Sequence, residues 1–161
     1  VTGMKNFLVA LLAIWCLVNG VAFAEENPRF WNGDKNYPLV WEDSQAAWYL
    51  DKNSIKVKVN DPPYFIITAQ IVTTSGTETY EFFFDEEEPD MRVFDKAVAD
   101  WRYLNPCELT PKEKYPMYIG EAVFYVVQGR KFYGNYLWKT ETNGKINYAD
   151  EFNDKLYQNW R

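Results

Sequence analysis

The stretch "YFIITAQIVTTSGTETYEFFFDEEEPDMRVF", residues 64 to 94, decides the fold. Its opening, "YFIITAQIVTT", is the longest β-branched run in the chain, and a strand sends successive side chains to opposite faces. Phe65, Ile67, Ala69 and Ile71 then share one face, and Tyr64, Ile66, Thr68, Gln70 and Val72 the other. With apolar residues on both, the run reads as a central strand covered on each side. "SGTE" closes a hairpin into "TYEFFFD", which must run back antiparallel. Asp85, Glu86, Glu87, Glu88 and Asp90 then surround Pro89. Consecutive carboxylates point in divergent directions and repel one another when gathered, unlike the spaced oxygen ligands of a calcium loop. The acids read as a solvated turn whose charges also guard the adjacent "FFF" from aggregation. Weak calcium binding and a catalytic pair are the lesser readings.

Upstream, "YPLVW" and "AWYLD" are short β-prone runs separated by "EDSQA". "SIKVKV" alternates, predicting Ile55, Val57 and Val59 on one face and Lys56 and Lys58 on the other. Pro62 and Pro63 cannot donate to a ladder, so "DPP" predicts a turn. Downstream, "MRVF" and "WRYLN" continue at similar spacing. Residues 37 to 105 therefore read as an antiparallel meander, led in by an irregular segment whose Phe30 and Trp31 dock on the body.

Past Pro106 the period changes. Ile119, Ala122, Val123, Val126 and Val127 recur at the spacing of one helical face, with Pro116 expected in the first turn. Ala149, Phe152, Leu156 and Trp160 predict a closing helix, with Asp150 and Glu151 in its first turn. Between the helices, Asn143-Gly144 flanked by "YLWKT" and "KINY" predicts a small hairpin. The expected fold is α+β: an antiparallel meander sheet of five to six strands, one main helix packed on it, and a C-terminal helix.

The chain opens with features of an export signal. Met4 and Lys5 precede "FLVALLAIWCLV", and Ala22-Phe23-Ala24 supplies a small-residue cleavage site ahead of Glu25. Residues 1 to 24 are expected to be removed, Val1 to Gly3 lying upstream of the start, and residues 25 to 161 to form one secreted or periplasmic domain. Lipidation at Cys16 competes with that reading, but Trp15 stands where a small residue is needed. The apolar run is shorter than the roughly 20 residues that span a bilayer, so no transmembrane segment is expected. The formal charge of -6 disfavours nucleic acid and anionic membranes. Beyond the leader only Cys107 remains, which excludes an internal disulfide; it reads as a buried thiol, with pairing between chains as the alternative.

The chain contains no histidine, which removes the usual general base, most metal clusters and the Ser-His and Cys-His dyads. Neither a GxSxG elbow nor a phosphate-binding glycine loop is present. No cofactor or metal is implied, and no catalytic residue is assigned. Two acids could still serve a glycosidase-like enzyme, a route no spacing rule closes. The surplus is aromatic: twelve Tyr, eleven Phe and seven Trp. Most such rings pack in cores, but Tyr and Trp also anchor interfaces and stack on sugars. Trp31, Trp41, Trp48, Tyr49, Tyr64, Tyr133 and Tyr136 are the candidate binding aromatics.

The segment "AWYLDKNSIKVKVNDPPYFIITAQIV", followed by "YEFFFDEEEPDMRVF" and "WRYLNP", resembles a group of small uncharacterised exported bacterial proteins and, more distantly, the surface-adhesin family typified by protein E. The resemblance spans roughly residues 38 to 105. It implies a small antiparallel sheet with a helix at the cell envelope and, through the adhesins, binding of host matrix proteins such as vitronectin and laminin. Asp51, Ser54 and Ile55 match a shared turn and are expected to shape it rather than to act chemically. The expectation is an exported, non-enzymatic domain that binds a protein or peptide, with a carbohydrate or cell-wall binding module as the alternative.

Overall fold

The computed structural model describes residues 27–106, 111–135, 139–142, 145–148 and 154–161. The expected leader, Cys107, Tyr136, Asn143-Gly144 and the segment around Ala149 to Phe152 lie outside them. Six strands, β1 Leu39–Glu42, β2 Ala47–Asp61, β3 Tyr64–Thr73, β4 Gly76–Asp85, β5 Asp90–Asp95 and β6 Asp100–Tyr103, form one sheet in chain order. Every neighbouring pair is antiparallel. The main helix, α1, is Pro111–Gln128; a separate hairpin, β7 Lys139–Thr142 with β8 Lys145–Tyr148, and a closing helix, α2 Asp154–Trp160, follow. The α+β meander with one helix on its sheet is therefore the fold. Among the described residues no helix is long and apolar enough to cross a membrane.

β3 does stand inside the sheet, with one face fully buried and the other mixed, Thr68 buried and Ile66 and Val72 half-buried there. Phe65, Ile67, Ala69 and Ile71 are buried under α1, whereas Tyr64 and Gln70 are exposed. The core joins those four to Phe82, Phe84, Met91 and Val93 from β4 and β5 and to Ile119, Ala122, Val123 and Phe124 from α1. Phe124 meets Phe65 edge-on at 5.7 Å between ring centroids and Phe84 at 4.9 Å, the offset arrangements that ring quadrupoles favour. Gly120 sets the depth of the approach: a Cβ there would stand 2.4 Å from Met91 Sδ.

Three local readings change. "AWYLD" and "SIKVKV" are one fifteen-residue strand, because a bulge rather than a turn separates them. Its register slips again between Val57 and Val59, so Val57 lies opposite Ile67 and Val59 opposite Ile66, on opposite faces. Pro116 lies inside α1 and not in its first turn, which starts at Pro111. The Asp51-x-x-Ser54 segment shapes the bulge at Asp51 to Lys56. Asp51 Oδ1 accepts from the Asn53 N–H, and Ser54 Oγ both donates to the Asp51 carbonyl at 2.6 Å and accepts from the Gln70 N–H at 2.7 Å. That hydroxyl replaces the ladder bonds lost at the bulge.

The acidic stretch is a turn joining β4 to β5, and the carboxylates of Asp85, Glu86 and Asp90 are engaged. Asp85 Oδ1 accepts the Glu87 and Glu88 N–H groups, Glu86 pairs with Arg130 through both guanidinium nitrogens, and Asp90 pairs with Arg92. An Asx turn of this kind satisfies backbone donors that the reversal would leave open.

Candidate binding face

Residues opposite one another in an antiparallel sheet point to the same side. Ile66 faces Phe83, Phe83 faces Arg92, and Arg92 faces Tyr103; Phe94 likewise faces Trp101. These side chains cover the face turned away from α1. Tyr64 stacks on Phe83 with 19° between ring planes, Trp101 meets Phe83 at 58° and a centroid distance of 6.1 Å, and Phe94 meets Trp101 at 73°. Tyr64 and Tyr103 are each 44% exposed, and Phe83, Phe94 and Trp101 are half-buried. The result is a contiguous aromatic patch in contact with water.

At one end the patch falls into a shallow hollow of about 700 Å³ bounded by Glu88, Pro89, Asp90, Arg92, Trp101 and Tyr103. Arg92 lies with its guanidinium carbon 6.0 Å from the Phe83 ring centroid and donates from Nε and Nη2 to Asp90 Oδ2, at 2.8 and 2.5 Å. That hydrogen bond is the main reason its pKa is raised, so the charge is fixed. Asp90 Oδ1 is out of water and, among the described residues, has no hydrogen-bond partner.

The candidate aromatics from the sequence fall elsewhere, apart from Tyr64. Tyr49 and Tyr133 are core residues, at 1% and 0% exposure, and cannot present a binding surface. Trp41 packs on Tyr118 at 4.8 Å, and Trp48 stacks on Tyr115 at 5.5 Å and 14°, so both hold α1 against β1 and β2. Trp31 meets Tyr49 edge-on at 5.2 Å, docking the lead-in segment as expected. Tyr136 lies outside the described residues. Phe83, Phe94, Trp101 and Tyr103 are not among those candidates, although alternation carries the signal for Phe83: once Phe82 and Phe84 face inward, Phe83 must face outward.

Tyr133 does structural work of a specific kind. Its hydroxyl accepts from the Met91 N–H at 3.0 Å and donates to the Leu104 carbonyl at 2.8 Å, standing in for a rung between the ends of β5 and β6. Beside it, the wholly buried Glu121 carboxyl accepts from the backbone N–H of Phe132 and Tyr133, both at 2.8 Å, from Gly134 at 3.2 Å, and from Tyr157 Oη at 2.7 Å. Burial pushes the Glu121 pKa up against these four bonds, which pull it down. Gly134 is required there, because a Cβ would stand 1.9 Å from Tyr157 Oη. Glu121 thus fastens α1 to the 132–134 loop and to α2. With its oxygens enclosed by donors, it offers no substrate a proton.

Among the described residues no group of acids or cysteines is placed to hold a metal ion. No family model, curated protein or solved structure matches this chain.

Proposed function

We propose that this chain is a non-catalytic binding domain, exported to the cell envelope, that takes a protein or peptide segment on the aromatic outer face of β3 to β6. The observation that carries this reading is the row Tyr64, Phe83, Trp101 and Phe94, packed ring to ring and still open to water. Exposed aromatic clusters of this kind mark interaction sites, because burying them recovers apolar area at low side-chain entropy cost. The hollow beside the row adds exposed acids at Glu87 and Glu88. A ligand of apolar side chains followed by a lysine or arginine complements both parts.

Stacking on sugar is less well supported, because ring planes tilted 58° and 73° from one another do not make a flat platform. The adhesin resemblance supplies the first ligands to try, vitronectin and laminin. The test is saturable binding of the purified protein to each, at low and high salt, alongside Trp101→Ala and Tyr64→Ala. The expected result is micromolar binding that survives salt and falls about tenfold or more in Trp101→Ala, the size of an interface hot spot. Equal binding by both variants would remove the outer face as the site.

A further inference from the structure

The end of the sheet holding the β1–β2 turn carries a second, separate cavity of about 630 Å³. Trp31 and Tyr49 form its apolar side, and Glu42 and Asp43 its acidic side. Among the described residues lining it there is no lysine or arginine. Each wall is held in place. The Trp31 backbone N–H donates to the Tyr37 carbonyl at 2.9 Å, and the Trp31 ring rests edge-on against the buried Tyr49. Asp43 Oδ1 accepts the N–H groups of Gln45 and Ala46, at 2.7 and 3.0 Å, and Glu42 Oε2 accepts from Asn27 Nδ2 at 2.8 Å. Two carboxylates and an indole that line one cavity, with no lysine or arginine among its described lining residues, attract positive charge. Carboxylates supply the Coulomb attraction, and an indole attracts a cation through its quadrupole while covering the adjoining methylenes. The Glu42 charge is felt inside: after burial, it is the second cause of the raised Tyr49 pKa.

We infer that this cavity binds an alkylammonium group, carried either by a free amine or by a lysine side chain. The site is independent of the outer aromatic face, since Thr74 at its rim and Tyr64 on that face flank opposite ends of β3.

Titration of the protein with butylammonium tests this, followed at the Trp31 indole N–H in nitrogen-correlated spectra and assigned by its disappearance in Trp31→Phe. The expected result is a saturable shift with a millimolar Kd, absent with 1-butanol, and weakened about threefold to fivefold in Glu42→Gln, the range of an exposed ion pair. Glu42 is exposed, so that variant keeps its fold, which the dispersion of the same spectra verifies. Tighter binding of acetyl-Gly-Lys-Gly-amide than of butylammonium assigns the site to lysine-bearing chains, and equal or weaker binding assigns it to free amines. No saturable shift with either probe, or the same shift with 1-butanol, overturns the proposal.

Discussion

Phe82 and Phe84 lie wholly buried against α1 and its following loop, whereas Phe83, between them, faces water in the company of Tyr64 and Trp101. One sheet therefore carries two aromatic layers of similar chemistry and opposite duty. On the inner side, Phe65, Phe84, Phe124 and Phe132 meet one another edge-on or tilted at centroid distances of 4.9 to 5.7 Å, closed off from solvent. On the outer side Tyr64, Phe83, Trp101 and Phe94 pack ring against ring and stay open to water. Stability should follow the first layer, and recognition the second.

The strongest way to break that contrast is to truncate both layers. Phe84→Ala should cost about 3–5 kcal/mol in urea unfolding, as large core deletions do, while Phe83→Ala should cost about 1 kcal/mol or less. Comparable losses would mean that the outer layer is covered in solution.

The buried polar link beneath the inner layer gives the next largest effect. Glu121→Gln puts an NH2 group against backbone donors and should cost about 3 kcal/mol, since each stranded donor costs about 1–3 kcal/mol. The link also makes stability depend on pH. Because burial raises the Glu121 pKa in the folded state, the native protein holds that proton more tightly than the unfolded chain does. Its contribution is complete below the ordinary carboxylate range and is lost as pH rises through the folded value. The difference in unfolding free energy between the protein and Glu121→Gln should shrink over that interval; a difference that grows would reverse the assignment.

A smaller loss, about 1–2 kcal/mol, is expected for Tyr133→Phe, with faster hydrogen exchange at the Met91 amide. Unchanged exchange would show that β5 and β6 close the rung by themselves. The least effect on stability is expected for Tyr64→Ala, which lies at the rim of the outer layer and should change unfolding by about 0.5 kcal/mol or less.

Periodicity made most of this fold legible. Alternation in "YFIITAQI" puts Phe65, Ile67, Ala69 and Ile71 on one shared face, which is the face buried under α1, and the helical spacing of Ile119, Ala122 and Val123 marks α1. The bulge at Asp51 to Lys56 was hidden because β2 keeps its β-prone composition through it; Ser54 makes the ladder's bond with a side chain, which alternation does not register. Pro116 was misplaced because a residue suited to a first turn also fits where α1 continues past it. The candidate aromatics rest on residue type, which does not distinguish Tyr133 in the core from Tyr103 on the surface. Facing does, and it was computable from Phe82 and Phe84 outward to Phe83, Arg92 and Tyr103 by pairing alone.

The Tyr133 hydroxyl in the β5–β6 ladder joins residues separated by 42 and 29 positions along the chain. During synthesis, β5 and β6 leave the ribosome well before the phenol that completes their shared end. The sheet is thus a structure whose last fastening arrives late, and a chain ending after α1 lacks the phenol that bridges the Met91 N–H and the Leu104 carbonyl at that edge of the sheet. Completion of that edge reports that the loop after α1 has docked.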